Sequence, residues 1–262
     1  DRFRKIALER LEGLHQIVEA LKQKMYNSAH LAVERKREAY DTEQIELVAY
    51  YEYLASLKAP ENYPNLKKLL EASQLEKEID FDKVEEERDS LIKILSEKLS
   101  EGEMSTLIDQ SLSFKEGNLS QTEYYGELKR LAEQKEASLT ATPNLEKYVR
   151  YLFLYGGINH SELFKEGDRL EEEIREGLVG SEDERQIVSI AKHLKLLSNL
   201  FQIKISPDDY ATYQKEGSRF SVKTLLPFLE AKVAEHQLAL PIPEGAAEID
   251  QHLKALDHFY RL

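Results

Sequence analysis

The sequence predicts an all-α protein of repeated helical hairpins, α-solenoid-like or an elongated helical bundle. Three observations predict it. Apolar residues recur at spacings of three and four along most of the chain. Only 11 Gly and 7 Pro punctuate 262 residues, so turns are few and helices long. One stretch also repeats itself at a constant offset of 79 residues. Alternating strand patterns are nearly absent; Ile203-Lys204-Ile205 is too short to count.

The first helix carries Ala7, Leu11, Leu14, Val18, Leu21 and Met25, an a/d seam of nearly three heptads. The seam breaks near Asn27-Ser28, which speaks against a single coiled-coil rod. Helix starts are marked by a capping side chain three residues before an acid, at Asp82, Ser120, Ser181 and Ser206. Pro207 directly follows Ser206, at a position where a helix tolerates proline. Ile249, Leu253, Leu256 and Tyr260 form a second seam at the far end. Helices are expected near 3–26, 29–39, 43–58, 64–78, 82–100, 103–115, 121–138, 143–155, 161–177, 182–202, 207–216, 221–238 and 246–262.

Pro64-Asn65-Leu66 recurs as Pro143-Asn144-Leu145, and at the same offset Val84 matches Leu163, Asp89 matches Asp168 and Leu91 matches Leu170. A tyrosine-bearing helix recurs as well. Ile45 with Tyr50, Tyr51 and Leu54 resembles Leu119 with Tyr124, Tyr125 and Leu128, and Ile205 with Tyr210 and Tyr213 is a looser third copy. Hairpins of this kind hide their apolar stripes by stacking on neighbours. The expectation is one elongated domain over 1–262, with stalk-like helices at 1–40 and 246–262 around degenerate repeats over 41–240. The terminal helices are expected to pair, in the manner of an antiparallel coiled coil and of an inserted domain that leaves and rejoins its host.

The formal charge of −13 repels phosphate backbones, so no nucleic-acid partner is expected. The basic run Arg35-Lys36-Arg37 is bracketed by Glu34 and Glu38 and reads as a solvated face. The absence of Cys excludes disulfides and thiolate chemistry. No apolar run reaches the roughly 20 residues that span a bilayer, and no leader is evident, so a soluble and preferably cytoplasmic setting is expected.

Sequence-visible chemistry is sparse. Seven His are present, and none forms a metal-binding H-E-x-x-H pattern. His252 or His258 meets His15 only if the terminal helices pair. The runs Glu85-Glu86-Glu87 and Glu171-Glu172-Glu173 point around a helix, cannot converge on one ion and read as solvated faces. Gly156-Gly157 reads as a helix end, with no phosphate-loop pattern. Leu238 to Pro243 reads as a rigid connector. No metal, cofactor or catalytic residue is assigned. The remaining candidates are the tyrosines Tyr50, Tyr51, Tyr124, Tyr125 and Tyr210, read as core or, alternatively, as the lining of a ligand pocket between repeats.

The runs 63–93 (YPNLKKLLEASQLEKEIDFDKVEEERDSLIK) and 142–174 (TPNLEKYVRYLFLYGGINHSELFKEGDRLEEEI), followed by LDHFYRL, resemble the helical middle region of large uncharacterised bacterial proteins. In those proteins a TraB/ChaN-like or erythromycin-esterase-like host fold is interrupted by the helical region. The resemblance implies that any catalytic groups lie in the host part, so no site residue carries over. The reading is a non-catalytic scaffold, interaction or spacer domain, whose partners are proteins: other copies of itself or other domains of the same chain.

Overall fold

A computed structural model describes residues 2–137, 141–216 and 221–260. The described residues are all-α: α1 (Arg2–Met25), α2 (Ser28–Asp41), α3 (Leu47–Leu57), α4 (Pro64–Glu78), α5 (Phe81–Ser96), α6 (Glu101–Lys115), α7 (Gln121–Gln134), α8 (Pro143–Gly156), α9 (His160–Leu178), α10 (Glu182–Gln202), α11 (Pro207–Glu216), α12 (Val222–Glu235) and α13 (Ile249–Tyr260), with a 3-10 turn at Ala246–Glu248. The chain divides into two compact units, one of Asp1–Lys36 with Arg175–Leu262 and one of Arg37–Ile174.

The first unit is built on α1. Its seam residues Ala7, Leu11, Leu14, Val18 and Leu21 are buried. They face chiefly α10, where Ile187, Ile190, Leu194, Leu197 and Phe201 are buried in the same core. The 3.6-residue period of both helices makes this possible, because it keeps one apolar stripe on each turned toward the other. Helix α13 joins the same core through Ile249, Leu253 and Leu256. It runs antiparallel to α1: Phe3 lies 5.5 Å from His252 and Arg10 pairs with Glu248 at 2.8 Å. The terminal seams therefore meet inside a multi-helix core, with α10 as the main partner of α1. The connector at 238–243 docks on its own body, since Leu238, Leu240 and Ile242 pack on this core. Pro243 comes so close to α1 that a Cβ on Gly13 would lie 2.5 Å from its ring.

The second unit holds the repeat. The end of α2 and the end of α6 form the same turn, 74 residues apart. Glu43 and Gly117 adopt left-handed backbone, at φ 57° and 77°. The amide of the following residue donates to the carbonyl five residues back, Gln44 to Ala39 and Asn118 to Ser113. The tyrosine helices α3 and α7 follow. Tyr40 stacks on Tyr50 at 5.2 Å, and Phe114 stacks on Tyr124 at 4.4 Å, both pairs within 5° of parallel. The looser third copy in the first unit shares the turn: Ile203 has φ 59° and Lys204 donates to Asn199.

The two 79-residue copies exchange contacts reciprocally. Lys68 of α4 donates to the Gly157 carbonyl at 2.7 Å, and its counterpart Lys147 pairs with Glu78, the counterpart of Gly157, at 3.3 Å. Glu71 pairs with its own counterpart, Arg150. Equivalent positions touch only across a two-fold relation. A solenoid, in which each repeat contacts the next in one direction, keeps them apart. The stacking expected from the sequence is thus an internal pseudo-dimer with α4 against α8. Opposite charges at 71 and 150 fit this, because a self-facing position with two like charges would repel.

Candidate functional site

The repeated Pro-Asn-Leu segments mark the most elaborate polar site of the second unit. Pro64 has no N–H, so Asn65 and Leu66 supply the first free amides of α4. Tyr63, before them, gives no side-chain cap. The carboxylate of Glu166 on α9 takes the role: it accepts from the Asn65 and Leu66 amides at 2.8 and 2.9 Å and from Asn65 Nδ2 at 2.7 Å. Glu166 is itself buried. Asn65 Oδ1 in turn accepts from the Asn159 amide. The second copy repeats the device with the helices exchanged. Glu87 on α5 accepts from the Leu145 amide at 2.8 Å and Asn144 Nδ2 at 2.9 Å, and Asn144 Oδ1 accepts from the Asp80 amide. An anion at a helix start is favoured by the free amides and by the helix dipole. Here the anion is a side chain of the opposite copy.

Two further carboxylates do the same in the first unit. Glu184, buried on α10, accepts from the Asn27 and Gly180 amides. Asp250 accepts from the Val222 and Lys223 amides at the start of α12. The acidic run at 85–87 is therefore only partly a solvated face, because Glu87 is committed to α8. The run at 171–173 departs from that reading too. Glu171 is buried and accepts from Arg37 at 2.8 Å, and Glu173 accepts from the Tyr63 hydroxyl and pairs with Lys58 at 2.7 Å.

Around Arg37 lies a cluster of three tyrosines, Tyr40, Tyr50 and Tyr51. Its guanidinium also donates to Asp41 at 2.9 Å and stands 5.8 and 6.0 Å from the rings of Tyr40 and Tyr50. Burial opposes its charge, but the bonds to Asp41 and Glu171 outweigh burial and raise its pKa. Burial and the Glu171 carboxylate raise the pKa of Tyr50, and burial with Asp168 raises that of Tyr51. Tyr125 is raised by burial and lowered by its bond to Arg88. These phenols are set to stay protonated, which suits packing and not base chemistry.

The five candidate tyrosines do not converge. Tyr50 and Tyr51 pack beside α9, Tyr51 directly on Gly167. Tyr124 and Tyr125 belong to the core between α5, α7 and α8. Tyr210 lies against the core of the first unit. Shallow depressions occur on α1 beside Arg4, Leu8 and Glu12, and at the α2–α3 turn beside Tyr40, Asp41 and Glu46; none of the five lines either.

No known family matches this chain, and no curated protein or solved structure proves similar to it. The histidines are also separate. His15 bonds Ser198 at 3.0 Å, while His252 lies by Phe3. His30 is fully buried and stacked 3.8 Å from Tyr26. Among the described residues no group of three or more His, Asp or Glu is disposed to hold a metal ion. No helix of the described residues is long and apolar enough to cross a membrane.

The sequence reading missed the capping carboxylates. A signal for them existed: Glu87 and Glu166 stand at the same 79-residue offset as Asn65 and Asn144. It was hidden because each sits inside an acidic helix that resembles any solvated face.

Proposed function

We propose that this chain is a non-catalytic helical interaction and scaffold module carried within a larger protein. One observation supports the reading above the others: the charged side chains of the most elaborate polar sites among the described residues are spent on holding helices. Glu87, Glu166, Glu184 and Asp250 cap helix starts, Arg37 and Glu171 neutralise one another, and Tyr50, Tyr51, Tyr124 and Tyr125 are buried. The antiparallel contact of α1 with α13 supports attachment through two neighbouring strands of chain, as for a module inserted into a host of the kind the sequence resembles.

Thermal shift of the purified chain against divalent cations, nucleotides and sugars tests the absence of a small-molecule site. The expected result is no saturable shift. A saturable shift that Tyr50→Phe or Tyr125→Phe abolishes would overturn the reading in favour of a ligand-binding or enzymatic domain.

A further inference from the structure

Helix α6 is the barest helix of the second unit: Leu107 is its one buried residue. Beside the face that Leu107 anchors runs a second apolar stripe of Ile108 and Leu112, continued by Met104, which is half-buried against the unit's own core. Ile108 is 50% exposed and Leu112 53%. These residues stand four apart, so they share one side of the helix, and Glu101 and Lys115 extend the same side to its two ends.

The internal repeat says what this side faces elsewhere. By the 74-residue offset that relates the two turns, Ile108 corresponds to Glu34 on α2. Glu34 is covered, held between Lys22 at 3.0 Å and Arg175. On α6 an isoleucine replaces the paired acid, and half of its surface stays open among the described residues.

We propose that this face pairs with its own copy: two chains join through α6 in antiparallel order about a two-fold axis at Ile108. The charge and apolar pattern of the helix is self-complementary about that residue. Ile108 is the midpoint of Glu101–Lys115. Antiparallel pairing there sets Ile108 on Ile108, Leu112 on Met104 and Lys115 on Glu101 of the partner subunit. A two-fold interface requires this reciprocity. A parallel pairing sets Glu101 on its own like charge. Glu101 and Lys115 are exposed and make no ion pair among the described residues, so both are available. The dipoles of the two helices also run opposed in this order. The inference deepens the scaffold reading by naming one partner, and it rests on that reading.

Sedimentation or light scattering of the full chain over rising concentration tests it. A weak, concentration-dependent dimer is expected. Ile108→Glu should raise its dissociation constant at least about tenfold. Glu101→Lys should weaken it, and Glu101→Lys with Lys115→Glu should restore it. Because the chain has no Cys, Ile108→Cys introduces a sole thiol at the axis and should give a disulfide-linked dimer on oxidation. Ile108 and Glu101 are exposed, so the variants should melt like the parent. A monomer at every concentration, or a dimer that Ile108→Glu leaves intact, overturns the proposal. Either result leaves the scaffold reading to stand or fall on its own ligand test.

Discussion

Replacing Glu166 by alanine removes three hydrogen bonds to a carboxylate at once. The amides of Asn65 and Leu66 then lose their acceptor at a helix start where Leu66 is fully buried. Each buried donor left unmet costs roughly 1–3 kcal/mol, and loss of a helix cap alone costs about 1. The expected destabilisation is about 3–5 kcal/mol. Glu166→Gln keeps one acceptor oxygen and should cost roughly half as much. Glu86→Ala, one residue from the second capping carboxylate but exposed, should stay within about 0.5 kcal/mol of the parent. Urea unfolding followed by circular dichroism reads these differences. Hydrogen exchange adds a local readout, because protection of the Asn65 and Leu66 amides should fall first. A Glu166→Ala protein within about 1 kcal/mol of the parent would refute the reasoning that this carboxylate holds α4.

Three other outcomes follow from the same contacts. A Cβ on Gly167 would lie 2.5 Å from the buried Tyr51 ring, so Gly167→Ala should lower stability by about 1–3 kcal/mol, against the gain in helix propensity; an unchanged melting temperature contradicts that packing. Burial, helped by Arg175 and Lys22 and opposed by Glu184, lowers the pKa of His30 from 6.5 to about 4. The unfolded chain takes up that proton first, so stability should fall as pH drops from 6.5 toward 4, by roughly 2 kcal/mol at pH 5. His30→Phe should flatten that part of the urea-midpoint profile; an equal fall in both proteins contradicts it. Ser100 and Ser120 each close a capping box with a Glu three residues on, so Ser→Ala at either should cost about 1 kcal/mol by urea unfolding, and no loss at both contradicts the boxes.

Much of the fold was legible because helices announce themselves locally. Helices 64–78, 182–202 and 207–216 lie as the period and the caps place them. Departures fall where the backbone turns without a sequence mark. Helix α3 starts at Leu47, not near 43, because Glu43 takes up left-handed backbone, which glycine normally signals. Gln237 does the same beyond the end of α12, expected at 238 and observed at Glu235. Asp82 does not cap α5, which already begins at Phe81. The box at Ser100 went unread because Gly102 separates it from an apolar run.

The repeat itself was visible, but its symmetry was not. Similarity at a fixed offset says that two segments fold alike, and nothing in it distinguishes a one-directional stack from a two-fold pair. The exchange is carried by partners 101 and 57 residues apart for the two Asn side chains, which no local pattern encodes. The sites were hidden for the same reason. Buried Glu166 and exposed Glu172 look alike until the opposite copy is in place.

The reciprocal pairing is tested most directly by cross-linking, which the Cys-free chain makes clean. Glu71→Cys with Arg150→Cys, and Glu78→Cys with Lys147→Cys, join equivalent positions or their exchanged partners on exposed helix surfaces. With a short bismaleimide at low protein concentration, both pairs should link within one chain in high yield. In a one-directional stack, positions 71 and 150 sit a full repeat of four helices apart, two stacked hairpins or roughly 20 Å at 8–10 Å per layer. Failure of the 71–150 pair to link within the folded chain would contradict the two-fold arrangement.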